Sequence, residues 1–136
     1  YLIREAGGYM KLSTSREEYL KVIYILKNNK GTVRSIDIAQ HMGISKPSVC
    51  IAVKQLEEQG YIKKDPAGLI ELTDSGKAEA ELVFEMHCFF EQVLMDAGIS
   101  HEQAHIDAGR LEHAISEESF EALKKAGLLH ELEQDK

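Results

Sequence analysis

Cysteine, proline and positive charge are all scarce in this chain of 136 residues. Cys50 and Cys88 are too few for a disulfide framework and too far apart for a CxxC metal knuckle, so both are read as reduced thiols. The two prolines, Pro47 and Pro66, leave no room for a proline-rich linker, and no internal repeat or low-complexity segment is visible. No apolar run approaches the roughly 20 residues that span a bilayer, and the N-terminus lacks the order of a signal peptide. A cytoplasmic protein without a membrane partner is the expectation. The 16 Lys and Arg against 23 Asp and Glu give a net charge of −7, which argues against wholesale phosphate binding.

The charge is unevenly placed. Residues 11–81 carry 11 basic and 10 acidic side chains, whereas residues 82–136 carry 4 and 12. A nearly neutral first half can still present one basic face to nucleic acid. The acids of the second half ask for a reason such as solubility or cation binding.

Apolar spacing organises the first half. The opening YLIREAGGYMKLS reads as a loosely attached arm. REEYLKVIYIL sets Tyr19, Leu20, Ile23 and Leu26 at helical intervals, with Ser13 or Ser15 as cap and NNKG as terminator. VRSIDIAQHMG reads as a short helix started by Arg34 or Ser35, with Ile36, Ile38, Ala39 and Met42 as its stripe and Gly43 as its end. SKPSV then opens a further helix: Ser45 can cap the free amides, and Pro47 fits a first turn where a missing N–H costs nothing. Val49, Ala52, Val53 and Leu56 share one side of that helix, and Gly60 stops it.

Two helices joined by a glycine turn make a helix-turn-helix. The alternating stretches YIKKD and LIELT around PAG read as a hairpin. The fold class is therefore mainly α: an N-terminal winged helix-turn-helix over residues 11–75 with a small hairpin wing, then an α-helical domain over 76–136. Thr73 or Asp74 caps a long helix reaching Gly98, in which Gly76 weakens the first turn only slightly. SHEQAHIDAGRLEHAI and EESFEALKKAG follow as helices, the second capped by Ser116.

The exposed start of the second motif helix is where groove contacts are made. Ser45, Lys46, Pro47, Ser48, Cys50 and Ile51 lie at or near it; Arg34, Lys54, Lys63 and Lys64 add charge around that face. Lys46 and the free amides suit phosphate, Ser48 a base edge, and Pro47 and Ile51 a thymine methyl.

In the second half, His87 and Glu91 stand one helical turn apart, and His105, Glu112 and His113 line the following helix. Nitrogen and oxygen donors in such a set suit first-row divalent ions, while ordinary interhelical hydrogen bonds are the competing reading. Crowded carboxylates repel without a cation, which adds weight to the metal. His41, His101 and His130 are read as ordinary surface histidines.

From about Thr14 to Ala122 the chain resembles the metal-dependent bacterial transcription regulators that include the diphtheria toxin repressor and the manganese transport regulator. The likeness is carried by EEYLKVIYIL, IAQHMGISKPSVCIAVKQLEEQGYI, LTDSGKAEA, MHCFFEQVL and, most specifically, DAGRLEHAIS. It implies a homodimer that binds a palindromic DNA operator when manganese(II) or iron(II) is present and represses metal-uptake genes, zinc or cobalt serving in vitro. It makes residues 76–136 an α-helical dimerisation and metal-binding domain, with Phe89, Phe90, Val93, Leu94 and Leu111 as candidates for the dimer surface and burial inside one subunit as the alternative for each. It places Glu18, Glu112 and His113 in a primary metal site and His87, Glu91 and His105 in an ancillary one. Three departures stand out. Lys21 occupies the place of a glutamate of the manganese branch; Gly109 occupies that of a cysteine or glutamate ligand; and no C-terminal SH3-like domain fits in the residues present. The runner-up is a metal-independent winged-helix regulator with a degenerate metal site, followed by a protein-interaction module. A hydrolase ranks last, so no enzyme activity is expected.

Overall fold

The computed structural model describes the backbone of residues 4–134 and the side chains of residues 16–127. The chain divides into two compact units, Tyr1–Phe84 and Glu85–Lys136. The division falls inside one long helix, nine or so residues beyond the 75/76 boundary read from the sequence.

The first unit begins with α1 (Arg4–Lys30), which is longer at both ends than the apolar spacing suggests. Ser13 and Ser15 lie within it and do not cap it. Asn28, Asn29 and Lys30 continue it, and Gly31, at φ +86°, closes it by donating to the Lys27 carbonyl at 2.9 Å. Helix α2 (Ser35–Met42) ends at Gly43 in the left-handed conformation, as its sequence foretells. Within the α2 stripe, Ile38 and Ala39 are buried but Ile36 is exposed, so the helix turns one apolar residue to solvent.

Asp37 fixes the start of α2. Its carboxylate accepts from the Arg34 N–H at 2.9 Å and from Lys30 Nζ at 2.6 Å. The Lys30 hydrogen bond, then that of the Arg34 amide, hold its carboxyl below the ordinary value against a smaller opposing effect of burial. A depressed pKa in the folded state stabilises it above the unfolded value of about 4, and the benefit is lost as pH falls through the folded value. Asp37→Asn is therefore expected to cost about 1 kcal/mol near neutral pH and nothing once pH falls below both values. Urea unfolding at the two pH values checks this; an equal deficit at both would refute it.

Helix α3 (Lys46–Glu58) starts at Ser45, whose Oγ accepts from the Ser48 N–H at 3.3 Å and donates to Ser48 Oγ at 2.9 Å. It ends in a Schellman arrangement: Gly60 N–H donates to Glu57 O at 3.1 Å and Tyr61 N–H to Leu56 O at 2.9 Å. Strands β1 (Ile62–Lys64) and β2 (Ile70–Leu72) pair antiparallel with Ile62 opposite Leu72. Tyr61 and Leu69 flank these strands and belong to neither. Leu20, Ile23, Val33, Ile38, Val49, Val53, Leu56, Ile62 and Ile70 close one core beneath α1, α2, α3 and the hairpin. Burying such side chains contributes about 1.5–3 kcal/mol each and outweighs the weak propensity of two three-residue strands.

Helix α4 (Asp74–Asp96) spans the division. Thr73 caps it, its Oγ1 accepting from the Gly76 N–H at 3.2 Å while donating to Gly60 O at 2.6 Å. In the second unit, α5 (His101–Leu111) starts at Ser100, whose Oγ accepts from the Gln103 N–H at 3.2 Å. Helix α6 (Glu117–Gln134) starts at Ser116, which accepts from the Ser119 N–H at 3.1 Å. Glu112 and His113 were expected on the helix of His105, yet α5 ends at Leu111; Glu112 is its C-cap and His113 sits in the turn beyond. Among the described residues, no helix is long and apolar enough to cross a membrane. Neither cysteine is in a disulfide.

Candidate metal centre and nucleic-acid interface

Three elements of the second unit bring the metal-type side chains together. Helix α4 sets Glu91 one turn after His87, α5 sets His105 opposite them, and the C-cap of α5 supplies Glu112. His87 Nε2 stands 3.0 Å from His105 Nδ1 and 3.1 Å from Glu91 Oε2, and the latter two are 2.8 Å apart. Two ring nitrogens and a carboxylate oxygen thus form a triangle with edges near 3 Å. That is the spacing of donors sharing one first-row ion, whose bonds run about 2.0–2.2 Å. The residues fit a divalent metal in number, kind and separation.

The rest of the network prepares those atoms. Glu112 has a fully buried side chain, and its Oε1 lies 2.6 Å from His87 Nδ1. A carboxylate can only accept, so the proton sits on Nδ1 and the Nε2 lone pair faces the triangle. With an ion on Nε2 this would be a carboxylate–histidine–metal arrangement, in which an outer carboxylate sets the tautomer of a ligand. The second oxygen of Glu112, Oε2, stands 3.3 Å from His113 Nε2. The hydrogen bond from His105, ahead of the attraction of His87 and His101, keeps the Glu91 carboxyl below its ordinary value, while burial pushes the other way. Low pKa favours the ionised carboxylate that an ion needs.

One histidine of this cluster was passed over in the sequence. His101, read as an ordinary surface residue, has its Nε2 3.4 Å from Glu91 Oε1. The signal was present: residues 101–105 read His-Glu-Gln-Ala-His, a spacing that puts two imidazoles on one helix face. His130 lies outside the residues whose side chains are described.

Of the remaining metal candidates, Glu18 belongs to α1 in the first unit, where its Oε1 lies 3.3 Å from the ammonium of the buried Lys21. A Cβ at residue 109 would meet nothing within 4 Å, so sterics do not require glycine there. The dimer candidates separate by burial. Phe90 is 9% exposed and meets Phe89 edge to face and Phe120 at a tilt, both in the same chain, at 5.3 and 6.3 Å between ring centres. Val93 and Leu111 are exposed, and Leu94 is half-buried.

In the first unit, Arg34, Ser45, Lys46, Pro47, Ser48, Cys50, Ile51, Lys54, Lys63 and Lys64 are all exposed. Ile51, at 62%, is among the most exposed large apolar side chains described. Arg34 has an additional role: its guanidinium donates to the Ala67 carbonyl at the wing tip. Lys63 and Lys64 follow one another on β1, so their side chains leave opposite faces of the hairpin.

Comparison with known proteins agrees with both units. Residues 11–68 match the family model described as iron dependent repressor, N-terminal DNA binding domain, and residues 73–135 match iron dependent repressor, metal binding and dimerisation domain. The transcriptional regulator MntR of Escherichia coli is 33% identical over 108 residues, 79% of this chain and 70% of that protein. The iron-dependent repressor IdeR of Mycobacterium bovis is 33% identical over 116 residues, 85% of this chain and 50% of that protein. The solved structure of the manganese regulator SloR superposes with a TM-score of 0.71 at 32% identity, covering 81% of this chain and 52% of that one. The chain thus spans about half the length of such solved structures. On these matches, and on the winged helix and donor cluster it carries, the chain belongs to the iron-dependent repressor family, that of the diphtheria toxin repressor and manganese transport regulator.

Proposed function

We propose that this protein is a metal-responsive transcriptional repressor of metal-uptake genes, working in the cytoplasm as a homodimer on a palindromic operator, with no catalytic turnover. The observation that carries this reading is the triangle of His87, Glu91 and His105, preset by buried Glu112, in a chain that also exposes the N-terminal end of a reading helix. Manganese(II) or iron(II) is the effector, and zinc or cobalt substitutes in vitro. Glu18, Glu112 and His113 form the primary site by family resemblance, and His87, Glu91 and His105 the ancillary one.

Glu18 and the pair Glu112 and His113 come from different units, so an ion held by all three favours some interdomain arrangements over others. Arrangements that set two α3 helices about 34 Å apart fit successive turns of one duplex. In each copy Lys46 and the free amides of α3 take phosphate, Ser48 reads a base edge, and Pro47 and Ile51 touch a methyl; Arg34, Ser45, Cys50, Lys54, Lys63 and Lys64 complete the face. Val93 and Leu111 contribute exposed apolar surface to the dimer, and Leu94, Phe89 and Phe90 are its further candidates.

A second reading, a metal-independent regulator, draws on the ammonium of Lys21 beside Glu18, which already neutralises that carboxylate. One anaerobic titration of operator DNA with protein separates the two. Added manganese(II), iron(II) or zinc is expected to tighten binding and a chelator to weaken it, whereas equal binding in all arms supports the second reading. In the metal-loaded arm, Lys46→Ala is expected to weaken binding to all duplexes alike and reduce the salt slope by about one.

A further inference from the structure

We propose that His101 is a fourth protein ligand of the site formed by His87, Glu91 and His105, and that it turns this site away from manganese(II) and toward iron(II), cobalt(II) and zinc(II). The inference rests on the metal-centre reading above and adds to it a residue outside the assigned set.

Two independent features bring His101 to the site. The first is its position along the chain. Ser100 caps α5, so His101 is the first residue of that helix and His105 lies one turn later on the same face. Two imidazoles so spaced can close on one ion without any change of backbone. The second is what they face. Glu91 presents Oε2 to His105 and His87, and turns its other oxygen, Oε1, toward His101 Nε2 at 3.4 Å. The Glu91 carboxylate is thus already flanked on both oxygens by ring nitrogens. The His101 and His105 ring centres are 6.4 Å apart. The His101 side chain is 70% exposed, so a change of rotamer toward the triangle meets solvent over most of its surface.

Chemistry supplies the consequence. Without His101 the set is two nitrogens and one oxygen, and water fills the remaining positions of any ion. With it the set is three nitrogens and one oxygen. Imidazole suits zinc, iron and cobalt, whereas manganese prefers carboxylate and water, and affinity rises from manganese through iron to cobalt on any shared set of donors. Four protein ligands also complete the tetrahedral shell that zinc favours in structural sites. Binding needs each ring to offer a lone pair, so His105 would hold an ion through Nδ1 in the tautomer protonated on Nε2.

The test uses the full chain stripped with chelator and titrated calorimetrically with zinc(II) and, separately, manganese(II). Cobalt(II) absorption serves as a second readout. His101→Ala alters an exposed side chain, and circular dichroism verifies that it folds as the parent does. The parent is expected to bind zinc at least about tenfold more tightly than His101→Ala, with manganese affinity changed by less than about threefold. The cobalt(II) visible bands are expected to shift on the same substitution, as a nitrogen ligand is replaced by water. If His101→Ala matches the parent for zinc while His105→Ala loses the site, His101 is not a ligand and the metal centre stands. Equal losses for both ions reject the selectivity. If neither the parent nor either variant binds any of the three ions, the metal-centre reading itself falls.

Discussion

Glu112→Ala is expected to lower the affinity of the His87, Glu91 and His105 site for zinc or iron(II) by about 10–100-fold, the range for loss of an outer carboxylate. The buried carboxylate holds the His87 proton on Nδ1 at 2.6 Å. Without it, the form protonated on Nε2 becomes populated, and that form offers the ion an N–H in place of a lone pair. Truncation also strips the buried His87 ring of an acceptor, at a cost of about 1–3 kcal/mol of stability. Glu112→Gln keeps the volume and a carbonyl acceptor, so it is expected to retain the fold and lose less than about tenfold in affinity. Stoichiometry distinguishes two roles for the same residue. If Glu112 only positions His87, affinity falls at constant ion count; if it is also a ligand of a separate site, one ion per chain is lost. Unchanged zinc affinity in Glu112→Ala would overturn the positioning role.

Gly76→Ala is expected to destabilise the first unit by about 2–3 kcal/mol, a drop of roughly 10 °C or more in melting temperature for a domain this size. On propensity alone the change would stabilise α4 by about 1 kcal/mol, because alanine is the better helix former. Geometry reverses the sign. A Cβ at residue 76 would lie 2.0 Å from the Tyr61 carbonyl oxygen and 3.3 Å from Leu72 Cδ2. The obstacle is backbone, so it cannot rotate aside. Relief requires α4 to move away from the hairpin, which strains the Thr73 N–H bond to Tyr61 O at 3.0 Å and the Thr73 Oγ1 bond to Gly60 O. Urea unfolding compares the two proteins directly, and equal or greater stability of Gly76→Ala would show that the hairpin yields where this packing says it cannot.

Much of this molecule was legible in its residues. The caps Ser45, Ser100 and Ser116, the stop at Gly60 and the apolar faces of α2 and α3 depend on interactions within a few residues of each other. Such local preferences act whatever the rest of the chain does. They sufficed to place the winged helix and to set Lys46, Ser48 and Ile51 on its exposed face. The i,i+4 spacing of His87 and Glu91 worked for the same reason.

What failed depended on distance in space. Helix α1 runs through NNK because Leu26 and the residues before it are anchored in the core, and propagation past an anchored turn overrides the weak preference of two asparagines. Gly76 looked like a mild flaw because nothing in its neighbourhood of sequence announces Tyr61. The contact of Glu112 with His87 could not be read either, because that pairing is set by where α5 ends and not by any spacing.

By itself, then, the order of residues determined where helices begin and stop, which faces are apolar and which two stretches carry metal-type donors, since these follow from bonds made within a turn or two. Only the tertiary structure decided which oxygen meets which ring nitrogen, that His101 joins Glu91, and that residue 76 has no space for a methyl group. Those outcomes require helices remote in sequence to approach within hydrogen-bonding distance, and core packing alone sets that approach.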